Sequence, residues 1–281
     1  MESFLRLTDI LSLTAFEFES ICRSNTSYAY LGNNKAVCRV LGKYKIFVDT
    51  RDIGITPHLV MDGFWETWLT QCISKIIKPG DICIDIGANY GYYSLLMSTL
   101  TGKNGRTIAV EPNPYVFGLL RATASVHSSF IEPVQIALSD TSGHTTLIIP
   151  DNFYGDASIV ERKDKPHLAR SRVDVKTQTL DELANKLELP RIDLIKMDVE
   201  GAEPAVFRGM TETIANNPGL RILVEYSPYL YPDTKHFTEF LFRHFDVCRI
   251  KDVDNMITLV ETDIPDLLTI SDYTDLYLVK K

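Results

Sequence analysis

The stretch 85–94, which reads DIGANYGYYS, places the tightest constraint on how this chain folds. It lies between two short apolar runs, a pattern that predicts a buried strand, a tight glycine turn and the start of a helix. Gly87 and Gly91 tolerate backbone angles closed to other residues and let a ligand approach closely. The helix that begins near Tyr92 presents free backbone N–H groups at this turn. Asp85 ends the strand at the side of the sheet where open α/β folds bind ligands.

Composition narrows the class of protein. The chain has 281 residues, 45% of them hydrophobic and 23% charged, and this composition is typical of a globular protein with a sizeable core. The net charge of −8 argues against a broad nucleic-acid surface. Its five cysteines form no Cys-x-x-Cys pair, which favours a reducing compartment over a disulfide framework or zinc site. The first residues lack the basic start and cleavage site of a signal peptide, and no apolar run approaches the length of a membrane span, so we expect a soluble, cytoplasmic protein.

Strands and helices alternate along most of the chain, from about residue 81 to residue 244. This alternation predicts an α/β fold with a mostly parallel sheet and helices on both faces. Residues 247–250 and 276–279 are predicted as an antiparallel pair of strands at one edge. Residues 1–60 are predicted to form an N-terminal extension with helices and a β-hairpin, and residues 61–281 the main domain.

The section 145–177 interrupts this rhythm with two predicted strands around a long polar loop. Within that loop, residues 151–172, the basic side chains are Arg162, Lys163, Lys165, Arg170 and Arg172. A loop of this length is either a solvated surface segment or a substrate lid. Its charge favours an acidic or phosphorylated acceptor, or an acidic carrier protein, if the loop contacts substrate.

The second informative motif is AVEPNP, in which Glu111 ends the strand that follows the glycine turn. An acidic residue about 20 residues beyond such a turn accepts hydrogen bonds from ribose hydroxyls. The turn reads Gly87-x-Asn89-x-Gly91 and lacks the full G-x-G-x-x-G pattern, since Asn89 places a side chain where a pyrophosphate needs bare backbone. Asp85 beneath the turn suits the α-amino group and sulfonium of S-adenosylmethionine better than a pyrophosphate.

The third and fourth motifs, LIKMDVEGAE and VEYSP, bring charged residues to two further strand ends. Lys196, Asp198, Glu200 and Glu203 belong to the first motif, and Glu225 to the second. Carboxylates on neighbouring strand ends raise one another's pKa, which makes one of them a better base, although helix capping would explain the same residues. Asp198 and Glu225 could ligate Mg²⁺, but the spacing shows no third ligand, so no metal site is predicted.

Together, DIGANYGYYS, AVEPNP, ALSD, TLDEL, LIKMDVEGAE and VEYSP resemble the FkbM-type methyltransferase family over about residues 45–226. The resemblance implies a Rossmann-like class I methyltransferase fold, with a mostly parallel seven-stranded sheet and an antiparallel edge strand. It also implies S-adenosyl-L-methionine as cofactor. Glu111 and Pro112 then lie at the ribose, and Asp198 where the methyl group leaves. The remaining predicted cofactor residues are Asp85, Gly87, Asn89, Gly91 and Tyr92 around the methionine part, and Leu138 and Ser139 at the adenine.

The resemblance implies a methyltransferase, and members of the family methylate hydroxyls of secondary metabolites or sugars. We therefore expect O-methylation of a small molecule or glycan. One alternative is N-methylation of a peptide side-chain amide, and another, from a different class, is a nucleotide-binding Rossmann oxidoreductase that uses NAD. The predicted acceptor is acidic or carrier-bound if the basic loop contacts it. The sequence leaves the oligomeric state open.

The residues predicted to carry the chemistry are the carboxylates. Asp198 is the first candidate base, followed by Glu225, with Glu200 orienting one of them. His58, which precedes the helix leading into the sheet, is a weaker candidate. Members of the family often carry a histidine after the glutamate of the VEYSP motif, whereas this chain has Tyr226.

Overall fold

The computed structural model describes residues 7–127, 131–161, 170–253 and 256–281. The α-helices are α1 Leu7–Leu11, α2 Ala15–Asn25, α3 Ile55–Met61, α4 Thr67–Ile76, α5 Tyr92–Thr101, α6 Pro114–Ser125, α7 Leu180–Lys186, α8 Glu203–Arg208, α9 Thr211–Asn216, α10 Thr234–His244 and α11 Ile264–Leu268. The strands are β1 Tyr28–Gly32, β2 Lys35–Val40, β3 Tyr44–Asp49, β4 Ile82–Ile86, β5 Arg106–Val110, β6 Ile131–Val134, β7 Ala137–Leu138, β8 Gly143–Pro150, β9 Arg170–Gln178, β10 Leu194–Met197, β11 Arg221–Tyr226, β12 Phe245–Val253, β13 Met256–Glu261 and β14 Thr274–Lys280.

An eight-stranded sheet in the order β13-β12-β14-β11-β10-β4-β5-β6 forms the centre of the molecule. The five strands from β11 to β6 run parallel to one another. Strand β14 lies antiparallel between β11 and β12, and β13 pairs antiparallel with β12 at the outer edge. The predicted α/β fold is therefore confirmed, with seven strands in the expected arrangement. The antiparallel strand β14 is not itself the edge, because β12 pairs with it on its outer side, and β13 beyond β12 adds an eighth strand.

The core divides into two clusters, one on each face of this sheet. Successive residues of a strand point to opposite faces. In β4, Ile84 and Ile86 therefore pack into one cluster, while Cys83 packs into the other. Asp85 shares the face of Cys83, which is the face covered by α4 and α5. This alternation determines which charged residues of neighbouring strands lie on the same face of the sheet.

The N-terminal segment contains α1, α2 and a three-stranded antiparallel sheet of β1, β2 and β3. Thr14 and Glu17 form a capping box that starts α2. The predicted hairpin is present as β2 and β3, whereas the sequence pattern did not predict β1 or α3. Residues 1–6 lie outside the described chain. The division of the chain at residue 60 stays a prediction.

Two predicted elements are interrupted in the structure. The strand predicted over 134–138 is divided between β6 of the central sheet and β7, which pairs with β9 in a separate small sheet. The helix predicted over 203–215 is two helices, α8 and α9, that break at Gly209. A Cβ atom there would lie 2.1 Å from the backbone oxygen of Ser139, so the backbone at Gly209 packs directly against the segment that contains Ser139.

Candidate active site

A cavity of about 530 Å³ opens at the carboxyl ends of β4, β5, β10 and β11. This is the side of an open α/β sheet where ligands bind. The volume lies within the range of small-molecule sites, which is about 300–1,000 Å³. Further parts of the wall come from Gly54 and Ile55, from residues 153–159 and from residues 271–273. The cavity is thus the candidate active site.

The glycine turn forms one wall of the cavity. Gly87 has a φ of +79°, and a Cβ atom there would lie 1.9 Å from the backbone oxygen of Asp198. Glycine is therefore required both by the backbone conformation and by the close approach of the neighbouring strand end. Asn89 has a φ of +50°, and its Oδ1 atom is buried without a hydrogen-bond partner among the described residues. A buried acceptor in this state points to a missing donor.

Glu111 holds the turn from the next strand. Its carboxylate accepts hydrogen bonds from the backbone N–H groups of Asn89 and Asn113, both at 2.9 Å. Burial raises the pKa of Glu111 to about 7, and these two hydrogen bonds oppose the shift. The carboxylate lines the cavity, and Pro112, Tyr92 and Leu138 from the predicted cofactor set also line it.

Asp85, Gly91 and Ser139 are not among the described residues that line the cavity. Asp85 is fully buried behind the turn, where Ser94 of α5 donates a hydrogen bond of 2.5 Å to its Oδ2 atom. Burial raises the pKa of Asp85, and the nearby Lys196 ammonium opposes that shift. Gly91 packs against Leu120 of α6. The contact of these residues with a cofactor stays a prediction.

Charged side chains from neighbouring strands meet on one face of the sheet. The strand register places Asp85 beside Lys196, and Glu225 beside Asp275. Lys196 is 4% exposed, its Nζ lies 3.2 Å from Asp198 Oδ2, and it lies 5.2 Å from the centre of the Tyr93 ring. Burial would lower the pKa of Lys196, but the surrounding carboxylates raise it above its ordinary value. Lys196 therefore remains an ammonium that neutralises part of this acidic face.

Asp198, Glu200 and Glu225 come together at the edge of this face, as the sequence motifs indicated. Each offers one carboxylate oxygen, and these oxygens lie within 4.8 Å of one another. This arrangement could hold a divalent cation, and Glu200 supplies the third ligand that the sequence spacing did not reveal. Burial, followed by the charges of Asp198 and Glu200, raises the pKa of Glu225 well above its usual range. Ser227 donates a hydrogen bond of 2.9 Å to Glu225.

Glu203, the fourth acidic residue of the LIKMDVEGAE motif, has a structural role. Its buried carboxylate accepts hydrogen bonds from the backbone N–H groups of Val199 and Gly201 at 2.9 and 3.0 Å. It thereby fixes the loop that carries Asp198 and Glu200.

Two acidic residues at the site were not among the predicted catalytic residues. Glu66 precedes α4 with a φ of +39°, lines the cavity and accepts a hydrogen bond of 2.6 Å from Tyr93. Asp275 on β14 accepts a hydrogen bond of 2.8 Å from the Trp68 indole. Neither lies in a motif, and only the fold brings them beside Lys196 and Asp198. Burial is the largest cause that raises the pKa of Glu66 to about 8 and the pKa of Asp275 to about 6.

The weaker histidine candidate lies away from the acids. His58 pairs with Asp62 at 3.3 Å, and its side chain is 54% exposed. Its ring packs at a tilt against the ring of Trp65. Trp65 lines the cavity, whereas His58 is not among the described residues that do so. Tyr226 is fully buried on the opposite face from Glu225, where its hydroxyl meets Thr238 at 2.6 Å. Tyr226 is a core residue in this chain.

The basic loop is described only in part, because Arg162, Lys163 and Lys165 lie outside the described residues. Arg170 and Arg172 begin β9, and both face Glu161, at 3.7 and 2.8 Å. The two strands predicted around the loop are present as β8 and β9, and the structure pairs them antiparallel. The described arginines are therefore partly neutralised by a neighbouring acid.

The sheet order, in which β14 runs antiparallel to both of its neighbours β11 and β12, and the glycine turn followed by Glu111 match the Rossmann-like class I methyltransferase fold. Residues 85–248 match the model of the methyltransferase FkbM domain. The chain therefore belongs to the FkbM methyltransferase family, as the sequence motifs predicted.

Several characterised proteins are similar to this chain. The hexuronic acid methyltransferase AglP of Haloferax volcanii is 28% identical over 137 residues, which cover 49% of this chain and 53% of AglP. The 2-O-methyltransferase NoeI of Sinorhizobium fredii is 30% identical over 161 residues, covering 51% of this chain and 63% of NoeI. The matches thus span between half and two thirds of these relatives.

Among solved structures, the O-methyltransferase of Bacillus cereus in complex with SAH aligns with a TM-score of 0.42 and 13% identity, over 76% of this chain and 80% of that one. Within the part of the chain that the structure describes, none of the helices combines the length and the apolar character needed to cross a bilayer.

Proposed function

We propose that this protein transfers the methyl group of S-adenosylmethionine to a hydroxyl oxygen of a small molecule or a sugar. The observation that carries the proposal is one continuous cavity. It joins the glycine turn and Glu111 at one side to the carboxylates of Asp198, Glu200 and Glu225 at the other. NoeI supports oxygen as the acceptor atom, since it is named a 2-O-methyltransferase, and AglP, named a hexuronic acid methyltransferase, supports a sugar as the kind of acceptor.

The residues present fit this cofactor. The buried Oδ1 atom of Asn89 has no hydrogen-bond donor among the described residues, and the α-amino group of the methionine part could donate a hydrogen bond to it. Glu111 retains lone pairs for ribose hydroxyls beyond the two backbone bonds that it already accepts. The acidic surroundings suit a ligand with a positive sulfonium. Pro112 and Leu138 supply apolar surface beside the ribose and adenine positions that we assign to them.

When bound, S-adenosylmethionine supplies an electrophilic methyl group. Transfer of that methyl group to the acceptor oxygen would break its bond to sulfur and release S-adenosylhomocysteine, and the acceptor hydroxyl would give up its proton to a group of this chain. We assign that role to Asp198, because its carboxylate lines the cavity and is 35% exposed, while Lys196 fixes one of its oxygens at 3.2 Å. A positioned base contributes about 10²–10⁴ in rate. Glu225, with its raised pKa, holds a proton near neutral pH and orients the acceptor or Asp198 by hydrogen bonding.

A ligand comparison separates this proposal from the oxidoreductase alternative. We expect S-adenosylhomocysteine to raise the melting temperature of the purified protein, because a ligand that binds only the folded state stabilises it. We expect NAD to leave the melting temperature unchanged. Stabilisation by NAD alone would contradict the proposed cofactor.

The affinity for S-adenosylhomocysteine should rise with pH through about 7, the pKa of Glu111. The ionised carboxylate accepts hydrogen bonds from the ribose hydroxyls, whereas protonation below this pKa removes one acceptor position. Titration calorimetry between pH 6 and pH 8 should show affinity changing by up to about tenfold per pH unit below the pKa and levelling above it. Glu111→Gln should bind about tenfold or more weakly at pH 8 and lose this dependence.

The control for that experiment is Glu261→Gln, which changes an exposed carboxylate on β13 outside the cavity. It should keep both the affinity and the pH profile of the unmodified protein. A Glu111→Gln variant with the original profile would remove Glu111 from the ribose position.

The charge of the cavity favours a neutral or cationic acceptor over an acidic one. Lys196 is the single basic side chain among the described lining residues. The acidic lining residues are Glu66, Glu111, Asp156, Asp198, Glu200, Glu225 and Asp272. Glu66 and Glu225, whose pKa values are raised, contribute little charge at neutral pH, so the repulsion comes from the ionised carboxylates of this set. Juxtaposed like charges cost several kcal/mol, so a carboxylate or phosphate on the acceptor would be disfavoured near the reacting hydroxyl.

Labelled S-adenosylmethionine and an extract of the source cells test this acceptor assignment. We expect the labelled product to elute from an anion-exchange column with the neutral or cationic fractions, where mass spectrometry then identifies it. Recovery of the label in a strongly retained, anionic product would contradict the assignment and favour the acidic acceptor predicted from the basic loop.

A further inference from the structure

Residues 151–160, which follow β8, cross one side of the cavity and are here called the strap. Seven consecutive strap residues, 153–159, line the cavity together with the glycine turn and Glu111. A short 3₁₀ turn, Tyr154–Asp156, lies in the middle of the strap. The strap therefore forms a wall over the space in which the proposed cofactor would lie.

The first anchor of the strap is the Tyr154 hydroxyl. It donates a hydrogen bond of 3.1 Å to Asp49 Oδ2 and accepts one of 3.3 Å from Arg51. Arg51 also binds Asp49 directly, at 2.6 Å, and the Asp49 carboxylate is fully buried at the end of β3. The Tyr154 ring packs against Tyr115 at the start of α6, with 5.9 Å between ring centres. Three separate elements thus hold this point of the strap.

The loop before α3 supports the same part of the strap. The backbone N–H of Ile53 donates a hydrogen bond of 2.9 Å to the Asn152 oxygen. Gly54 approaches Phe153 so closely that a Cβ atom would lie 2.9 Å from its ring. The N-terminal segment therefore contacts the strap through both backbone and side chain.

The second anchor is Ser158, near the other end of the strap. Its hydroxyl donates a hydrogen bond of 2.8 Å to the backbone oxygen of Glu200, and its backbone pairs with Ile148 of β8 at 2.8 and 3.0 Å. Glu200 has a φ of +56° and belongs to the acidic group. The strap is thus fixed at the ribose side by Tyr154 and at the acidic side by Ser158.

We propose that Tyr154 and Ser158 are positioning residues that keep the strap closed over the cofactor, with Asp49 and Arg51 of the N-terminal segment as the catch for Tyr154. This inference rests on the proposed function of the cavity. The family match begins at residue 85, so the catch is supplied by a segment outside the matched domain. Opening of these contacts widens the path by which ligand leaves, and the anchors therefore slow its dissociation.

Dissociation of S-adenosylhomocysteine tests the anchors directly. Tyr154→Phe keeps the ring and removes only the hydroxyl that bonds the charged Asp49. We expect its dissociation rate to rise about tenfold or more, which corresponds to the loss of a hydrogen bond to a charged group. Ser158→Ala should raise the rate by a smaller factor, because its partner is a neutral carbonyl. The matched control is Tyr28→Phe, which removes an exposed hydroxyl on β1 and should leave the rate unchanged.

Two further readouts distinguish positioning from general destabilisation. In hydrogen exchange without ligand, Tyr154→Phe should increase exchange within the strap while the central sheet keeps its protection. In turnover, KM for S-adenosylmethionine should rise without a matching loss of kcat. Unchanged dissociation and exchange in Tyr154→Phe would overturn the strap proposal alone. Failure of the unmodified protein to bind S-adenosylhomocysteine would instead count against the proposed function, and with it the strap.

Discussion

Replacing Asp198 with asparagine is expected to lower the methyl transfer rate by about 10²–10⁴ while binding of S-adenosylhomocysteine is retained. The amide keeps the size of the side chain but cannot accept the acceptor's proton. Lys196 loses the carboxylate at 3.2 Å but keeps Asp85 and Glu66 as neighbouring charges, so the fold should tolerate the change. Single-turnover kinetics with labelled cofactor, together with calorimetry of S-adenosylhomocysteine binding, separate the two effects.

The matched control is Asp246→Asn, which alters an exposed carboxylate on β12 away from the cavity. It should leave both rate and binding unchanged. Full activity of Asp198→Asn would remove Asp198 from the base role. Loss of binding together with activity would show that Asp198 acts through the cofactor site.

Replacing Gly87 with alanine is expected to abolish binding of S-adenosylhomocysteine and to destabilise the protein strongly. The new Cβ atom would lie 1.9 Å from the backbone oxygen of Asp198, which is a fixed part of the adjoining strand end. The positive φ alone costs about 1–2 kcal/mol for a residue with a Cβ atom. The clash adds to that cost, because the turn or the Asp198 loop must move. Chemical denaturation and calorimetry measure the two losses.

Gly80→Ala serves as the control for backbone strain alone. Gly80 has a φ of +88°, but a Cβ atom placed there would have no neighbouring heavy atom of the described residues within 4 Å. Its variant should lose about 1–2 kcal/mol of unfolding free energy and keep ligand binding. If Gly87→Ala were no more destabilising than Gly80→Ala and still bound ligand, the close packing of the turn against Asp198 would be wrong.

Much of the fold and part of the site follow from local sequence pattern. The strand, turn and helix around Gly87 are encoded within ten residues, and the same holds for the strand end at Glu111. Asp198, Glu200 and Glu225 could be expected to meet because parallel strands end at one edge of a sheet. Even so, the sequence did not reveal that Glu200 reaches both other carboxylates, since that depends on its left-handed backbone.

Asp85 illustrates the limit of motif reasoning. Its position at a strand end does not give the direction of its side chain, which strand alternation turns toward α5, where it accepts a hydrogen bond from Ser94. Its contact with a cofactor stays a prediction. Glu66 illustrates the opposite case. It lies in no motif, yet the packing of α4 beside α5 brings its carboxylate to Tyr93. Such contacts join residues distant in sequence and depend on the tertiary structure.

The strap is a further long-range feature. The length of the loop predicts a candidate lid, but the contacts that anchor the strap are made by Tyr154 and Ser158 rather than by the basic residues. The catch at Asp49 and Arg51 lies about a hundred residues earlier in the chain, as the interval of 105 residues between Asp49 and Tyr154 shows. A local pattern contains no information about such a pairing.

A crystal structure of the protein grown with S-adenosylhomocysteine is the most direct test of the central claim, that the cavity binds this cofactor. The account predicts one molecule in the cavity, with its ribose hydroxyls on Glu111, its amino group beside Asn89 and its sulfur facing Asp198. A cavity that remains closed to the ligand, or a ligand bound elsewhere on the surface, would contradict it.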